Sequence, residues 1–359
     1  MLADLMKSLL NKIVAKPALA ALAAATLLFA GCDKSGSSNG QTGEFSPLGL
    51  PKETVAVAHI NLKNAYASKV GAKVRDIVRQ QYRATEPKSE MKEFDDFLDG
   101  TGLDIERDIA GITYGILFDD AGATPGKKPN LDSLFVVGVA RGKFSVEKIN
   151  AYIAKQDEEG KLKKKTVGKI QFSTNSFGTF GLVDANTLLI VSGNPRAKPE
   201  KLDATLEKIL AAFTAANAYD APKSFLDLEK AFPKTVLLAH ADVERSAFIK
   251  ALFDSNSQAK MFRPLTGQVV AGEDGDKFKL RAVVQYDDPT KAQGLSGLAG
   301  LGIGMLKSQI GTEAPDLVKT LNALKLRVED KTFVIEAEEK SGEIIRQLED
   351  ALAKASKRE

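Results

Sequence analysis

Two stretches of the sequence decide the fold: Thr54-Val-Ala-Val-Ala-His-Ile-Asn-Leu62 and Thr235-Val-Leu-Leu-Ala-His-Ala-Asp-Val243. They align without a gap, 181 positions apart, and each follows a Pro-Lys pair. Together they contain both histidines of the chain, His59 and His240. A strand that recurs with its flanking residues indicates duplication of a supersecondary unit. We therefore expect two tandem related repeats.

The apolar periodicity elsewhere predicts adjacent pairs of strands between helices. The predicted strands lie at 109–118, 133–141, 168–174, 178–183, 187–192, 265–273, 277–287, 324–329 and 332–338. The predicted helices include 89–98, 199–214, 224–231, 244–253, 290–310, 315–323 and 341–355, with Ser145 as the cap of another. Strands in adjacent pairs favour an α+β fold with mainly antiparallel strands and packed helices over a doubly wound parallel sheet.

The repeats also predict the domain organisation. Residues 1–31 and a Gly/Ser-rich stretch at 32–47 precede the repeats. The first α+β repeat covers 48–216 and the second covers 217–359. Thr187-Leu-Leu-Ile matches Thr332-Phe-Val-Ile at a spacing of 145, so the second repeat is the shorter one.

The N-terminus has the pattern of an export signal. Three lysines, Lys7, Lys12 and Lys16, precede an uninterrupted run of small and apolar residues from Ala18 to Ala30. This run is shorter than the roughly 20 residues that a membrane-spanning helix needs, and it suits the apolar region of a signal peptide. The sequence therefore predicts export from the cytoplasm.

The run ends in Leu28-Phe29-Ala30-Gly31-Cys32, which resembles the lipobox of bacterial lipoproteins, with Phe29 where leucine is usual. The resemblance implies that residues 1–31 are a lipoprotein signal peptide, cleaved before Cys32, and that the Cys32 thiol carries a diacylglyceryl group. Residues 32–47 would then be an acylated cysteine with a flexible Gly/Ser tether. Cys32 is the only cysteine of the chain, so it forms no intramolecular disulfide, and an exported free thiol is a reactive liability unless it is modified. The alternative is an ordinary secretory signal followed by an incidental cysteine. We expect a palmitate-type anchor on a cell-envelope membrane, with the body in the periplasm or outside the cell.

The net charge and the placement of aromatic residues bear on whether nucleic acid is a partner. The chain has a net charge of +3, of which residues 1–31 account for +2. A nearly neutral body without aromatic residues between its cations gives no reason to expect nucleic acid as a partner. The helix carrying Lys69, Lys73, Arg75, Arg79 and Arg83, and the predicted hairpin loop at 160–165, are either solvated surfaces or contacts for an anionic envelope surface.

The histidines are the first candidates for chemistry. His240 and Asp242 share one face of a strand, which is the arrangement of an oriented general base. A nucleophile and a spaced set of metal ligands are both missing, so we predict no catalytic residue, no metal and no cofactor. In the structural interpretation, Asn61 and Asp242 begin a helix in each half, and the histidines are strand-end residues bonded to backbone or water.

A glycine-rich run, Gly294-Leu-Ser-Gly-Leu-Ala-Gly-Leu-Gly-Ile-Gly-Met305, lacks the spacing of a phosphate-binding loop. Two interpretations stay open. Ser296, Gly300 and Gly304 share one helix face, which is typical of a closely packed core helix. Alternatively, the run is an apolar element that lines a groove for a hydrophobic ligand.

The body also resembles a group of uncharacterised, duplicated envelope proteins of unknown function. The shared features are Leu50-Pro51 before the first strand, Thr101-Gly-Leu-Asp104 with Asp108-Ile109, and the twofold strand–helix order. This resemblance implies no activity. We therefore predict a non-enzymatic, membrane-anchored binding or structural module. The alternative is a carrier that holds a lipid or another hydrophobic ligand in a groove between the repeats.

Overall fold

The structure, a computed structural model, describes residues 43–84, 89–118, 134–158, 160, 162–174, 178–193, 199–230, 232–254, 260–310 and 315–355. Within these ranges it has twelve strands and eleven helices. The strands are β1 (Ala56–Asn61), β2 (Ile109–Phe118), β3 (Leu134–Gly142), β4 (Lys163–Val167), β5 (Ile170–Thr174), β6 (Thr179–Asp184), β7 (Thr187–Gly193), β8 (Lys234–Asp242), β9 (Thr266–Asp274), β10 (Lys277–Gln285), β11 (Lys325–Glu329) and β12 (Thr332–Lys340). The helices are α1 (Leu62–Ala67), α2 (Lys69–Ala84), α3 (Ser89–Thr101), α4 (Ile105–Asp108), α5 (Val146–Glu158), α6 (Pro199–Ala211), α7 (Lys223–Glu229), α8 (Ala247–Asp254), α9 (Pro289–Ile310), α10 (Pro315–Ala323) and α11 (Ser341–Ala355).

All twelve strands join one sheet in the order β11-β12-β10-β9-β8-β1-β2-β3-β7-β6-β5-β4. Every neighbouring pair in that order is antiparallel. The prediction of an α+β fold with antiparallel strands is confirmed. Strands that are consecutive in the sequence are mostly neighbours in the sheet. Most of them are joined by short connections, and a short connection can join neighbouring strands only in the antiparallel direction.

The sheet is continuous through its centre, where the two stretches quoted at the start meet. Strand β1 pairs with β8 from Ala56 opposite Ala241 to Ile60 opposite Leu237. The middle of this ladder places Ala58 opposite Ala239. On one side of the ladder lie the strands of residues 48–216, and on the other side those of residues 217–359.

Apolar side chains cover both faces of the sheet. Val137 and Val139 of β3 belong to a buried cluster under α6, whereas Ala140 belongs to a second cluster under α3, α4 and α5. Alternate residues of a strand point to opposite faces, so these clusters lie on opposite sides. The pairing register places α9 on the same face as α5, and α7 on the same face as α6.

One predicted loop is a strand. Residues 163–165, which the sequence analysis placed in a charged hairpin loop, form the start of β4 at one edge of the sheet. The lysines there are exposed, and Lys164 and Lys165 form ion pairs with Asp157 and Asp203. The strand has only Val167 buried, so it lacks the apolar alternation that identifies a strand. Lysines on an edge strand oppose pairing with another chain.

Candidate functional site

The predicted anchor, Cys32, lies outside the described residues, together with the predicted signal peptide and residues 33–42 of the tether. Description begins at Gly43, so the last residues of the predicted tether, 43–47, are described. We call residues 43–51 the strap. The strap lies across the sheet at the β1–β8 ladder and ends in an isolated bridge between Pro51 and Ala218.

Backbone and side-chain hydrogen bonds fix the strap along its length. The Phe45 N–H donates to Glu229 Oε1 at 2.8 Å, and the Gly49 N–H donates to the Ala212 carbonyl at 3.0 Å. Gly49 has a φ of 89°, which L side chains rarely adopt, so glycine is required at this turn. The strap thereby joins residues from both sides of the central ladder.

His59 is buried and both of its ring nitrogens have partners. Nε2 lies 2.7 Å from the Gly43 carbonyl, and Nδ1 lies 3.0 Å from Thr113 Oγ1. A carbonyl only accepts, so Nε2 carries the hydrogen and Nδ1 accepts from the threonine hydroxyl. Burial lowers the pKa of His59 to about 4, although the bond to Gly43 opposes the shift. The imidazole is therefore neutral at pH 7 and holds the start of the strap.

His240 is buried at the corresponding place on β8. The Tyr219 hydroxyl lies 2.5 Å from Nδ1, and Nε2 has no hydrogen-bond partner among the described residues. Burial also lowers the pKa of His240. The Asp242 carboxylate instead accepts from Arg245 Nε at 3.1 Å, and the Arg245 guanidinium lies 4.8 Å from the centre of the Tyr219 ring. His240 and Asp242 therefore do not form the histidine–carboxylate pair that their positions on one strand face would permit.

Aromatic rings cover both histidines on the strap side of the sheet. Phe45 packs edge-on against His59 with ring centres 5.9 Å apart, and Phe225 of α7 lies 5.4 Å from His240. The two phenylalanines contact each other edge to face at 5.2 Å. Both imidazoles are buried under this aromatic cover. Among the described residues, no group of His, Cys, Asp and Glu side chains is arranged to hold a metal ion.

One of the two predicted helix caps is confirmed and the other is wrong. Asn61 Oδ1 accepts from the Asn64 N–H at 3.0 Å and caps α1 as expected. Asp242 Oδ1 accepts from the N–H groups of Glu244 and Arg245, but these form a turn, and α8 begins only at Ala247. Ser246 Oγ accepts from the Ile249 N–H at 3.2 Å and occupies the position of the cap. The prediction that Asp242 begins a helix is wrong because the chain makes one more turn first.

The motif Thr101-Gly-Leu-Asp104 has a local structural role. Thr101 Oγ1 donates to the Phe97 carbonyl at 2.6 Å, Gly102 takes a φ of 61°, and Asp104 Oδ1 caps α4. A cavity of about 180 Å³ lies beside it, with Lys143 and Lys148 on its wall. The four residues therefore turn the chain from α3 into α4, a short helix absent from the predictions.

Helix α9 contains the predicted glycine-rich element and has two unlike faces. Ala292, Leu295 and Ala299 belong to an apolar cluster with Tyr286 and Phe333. The opposite face carries three large apolar side chains in solvent, with exposed fractions of 39% for Leu298, 69% for Leu301 and 63% for Met305. Within the described residues, no helix is long and apolar enough to span a bilayer.

Four of the five glycines of α9 are not closely packed. A Cβ built on Gly297, Gly300, Gly302 or Gly304 would meet no described atom within 4 Å. The interpretation of α9 as a core helix therefore fits its inner face only. Sequence reasoning missed the exposure of the outer face, although five glycines in a helix interior are a signal, because glycine disfavours a helix that no packing supports.

The basic face of α2 is partly neutralised by contacts that the sequence did not reveal. Lys73 pairs with Glu349 of α11, and Arg75 lies 3.2 Å from Glu106 of α4 as well as 3.0 Å from Asp76. These pairs join α2 to its neighbours across the fold. The side chains of Arg79 and Arg83 lie outside the description.

Comparison with known proteins yields similarity in structure only. No family model matches the chain, and no curated protein matches it. Solved structures similar to the chain include crystal forms I, III and IV of TP0453, with TM-scores of 0.43, 0.45 and 0.44 and sequence identities of 10%, 7% and 8%. The matches cover 85%, 86% and 85% of this chain and 97%, 99% and 97% of those chains. Similarity at this level carries no argument about function.

Proposed function

We propose that the chain is a cell-envelope lipoprotein, anchored to a bacterial membrane through acylated Cys32, whose α+β body is a non-enzymatic binding or structural module. The observation that carries the proposal is the order of the N-terminal sequence: three lysines, an apolar run of 13 residues, and Ala30-Gly31-Cys32 with the only cysteine of the chain. The strap adds support, because it fixes the chain to the body only 11 residues after Cys32.

Acyl labelling tests the anchor. Cells that express the full chain and are fed a radiolabelled or alkyne-tagged palmitate should label the protein, and Cys32→Ala should abolish the label and leave a larger precursor. Ser35→Ala, three residues further along, is the matched control and should label normally. Equal labelling of the Cys32→Ala chain would contradict the proposal.

The partners of the two histidines support the proposal of a non-enzymatic body. His59 holds the strap, and His240 is packed between Tyr219 and Phe225 without an orienting carboxylate. The structural role predicts that His240→Gln leaves any biological readout of the protein intact, provided the variant folds. Loss of an activity in a folded His240→Gln protein would favour catalysis.

We propose further that the two halves are copies of one unit. At the 181-residue spacing, Ala58 is equivalent to Ala239, and these two residues are paired in the central ladder. Val57 is paired with His240, and His59 is paired with Leu238. Because Val57 is equivalent to Leu238 and His59 to His240 at the same spacing, exchanging the two halves converts one pair into the other. A pairing of this kind is what a twofold axis through the ladder produces. The outer strands follow the same scheme, since Thr187 and Thr332 begin β7 and β12.

A second candidate function, carriage of a hydrophobic ligand, is favoured by one row of side chains. Ala58, Ala239, Val269, Ala282 and Ile335 are paired in succession across β1, β8, β9, β10 and β12. All five are apolar, and all five are only half-buried. The row starts at the junction of the halves and runs towards α9.

Native mass spectrometry of the detergent-extracted full chain tests this candidate. A carrier should retain a stoichiometric lipid, and Ala282→Glu should release it because a charge would lie in the apolar row. Arg281→Gln changes the neighbouring residue on the opposite face and should leave the lipid bound. A body without a bound lipid would leave the structural module as the better proposal.

A further inference from the structure

The outer face of α9 is unusual for a protein surface in water. Leu298, Leu301 and Met305 are spaced three and four residues apart, so they form one stripe along the helix, opposite Ala292 and Ala299. A helix that is apolar all round is normally buried. Here the cluster with Tyr286 and Phe333 covers the inner half of that surface, whereas Leu298, Leu301 and Met305 on the outer half are exposed.

The apolar stripe continues onto the segment that precedes β9. Phe262 contacts the outer side of α9, since a Cβ on Gly294 would lie 3.1 Å from its ring. The adjacent Met261 has 59% of its surface exposed. Four large apolar side chains are therefore presented to solvent from two neighbouring segments, which is the pattern of an interaction surface rather than of scattered exposed residues.

The charge around this stripe indicates what covers it. The 22 residues of α9 include two lysines, Lys291 and Lys307, and no aspartate or glutamate, although Lys291 forms an ion pair with Asp287 just before the helix. Lys260 is exposed beside Met261. Lysines that flank an apolar helix face, with no acidic residue on the helix, are the arrangement of a helix lying in the headgroup region of an anionic bilayer.

We propose that α9 docks on the surface of an anionic bilayer, with Leu298, Leu301 and Met305 in the outer acyl region and Lys260 and Lys307 at the headgroups. The inference rests on the proposed lipid anchor, which would hold the body close to that surface: the tether has a root-mean-square span of about 20 Å. A single anchored chain thus gains a second contact, which fixes the orientation of the body on the membrane.

The chain has no tryptophan, so one introduced residue is a unique fluorescent probe. The experiment uses the mature, acylated protein carrying Leu301→Trp, reconstituted into vesicles of phosphatidylglycerol and phosphatidylethanolamine with brominated acyl chains. We expect the emission to shift to shorter wavelength and to lose most of its intensity to bromine quenching. Leu226→Trp is the matched control: Leu226 is 37% exposed on α7, on the opposite side of the sheet, and should emit as in water.

Flotation of the vesicles is measured first, because it reports the anchor alone. If the protein does not float with the vesicles, the lipid anchor fails, and α9 docking as argued here fails with it. If the protein floats but Leu301→Trp emits as in water, the docking proposal is overturned while the anchor stands. A blue-shifted emission without bromine quenching would show that a second copy covers α9, and quenching that persists when phosphatidylcholine replaces phosphatidylglycerol would contradict the preference for anionic lipid.

Discussion

At the residue scale, burial sets the protonation state of His59. Its folded-state pKa is about 4, below the ordinary value of 6.5, so the unfolded chain binds a proton between these values and the folded chain does not. Stability should therefore be full above pH 6.5 and fall as the pH drops from 6.5 towards 4. The largest loss is about 3 kcal/mol from this residue.

Urea unfolding at pH 7 and pH 4.5 measures this contribution. His59→Gln keeps a donor for the Gly43 carbonyl and removes the titration, so its stability should depend less on pH than that of the wild type. The shift in the pKa of His240 has the same direction, and His240→Gln should flatten the dependence as well. The same pH dependence in wild type and His59→Gln would contradict a neutral buried imidazole.

The cap of α1 gives a second prediction at this scale. Asn61→Ala removes the acceptor for the Asn64 N–H and should cost about 1 kcal/mol of unfolding free energy. Asn61→Asp preserves the acceptor and is the control. Equal stability of Asn61→Ala and wild type would mean that the cap contributes nothing.

The helix cap Asn61 could be predicted from its neighbours in the sequence. Asn61 follows a strand and precedes a helix, which the sequence displays directly. The partners of the histidines were not predictable, because Gly43, Thr113 and Tyr219 reach them through the fold. The cap at Ser246 was not predicted, because Asp242, four residues earlier, also has a side-chain oxygen that can accept a hydrogen bond from a backbone N–H.

At the element scale, two helices show glycine under opposite constraints. A Cβ on Gly300 of α9 would meet no described atom within 4 Å, whereas a Cβ on Gly71 of α2 would lie 2.1 Å from the Ala65 carbonyl oxygen. Gly300→Ala should therefore stabilise the protein by about 0.5–1 kcal/mol, because alanine favours the helix. Gly71→Ala should destabilise it. Thermal unfolding of both variants checks the pair, and a destabilising Gly300→Ala would mean that α9 is closely packed.

Elements with strong periodicity were predictable, since their apolar pattern reports which face is buried. Strand β2 and helices α10 and α11 have the predicted bounds. Strand β4 was not predictable, because an edge strand with three exposed lysines carries almost no apolar pattern. The exposed face of α9 escaped prediction for a related reason: hydrophobicity alone does not tell whether protein, lipid or water lies against a helix.

At the scale of the whole molecule, one sheet runs through both halves. The central ladder pairs five residues of β1 with five of β8, and the strap bonds to residues from both halves. We expect a single cooperative unfolding transition. Val137→Ala in one half and Val270→Ala in the other, both at fully buried positions, should each shift the whole transition by about 1–2 kcal/mol. Two separate transitions, each moved by only one substitution, would show independent domains.

The fold class was predictable because paired strands between helices permit few arrangements. How the two halves join was not, since strand pairing across 181 residues leaves no local pattern in the sequence. The strap could not be predicted either: its polar residues resemble a tether, and Phe45 is the one apolar residue at its start that packs on the junction.

The central claim is the lipid anchor, and mass spectrometry of the N-terminal peptide of the native protein tests it most directly. The account predicts a mature chain that begins at Cys32, with the mass of a diacylglyceryl group on the sulfur. A mature chain that begins at another residue, or a Cys32 with an unmodified thiol, would contradict it.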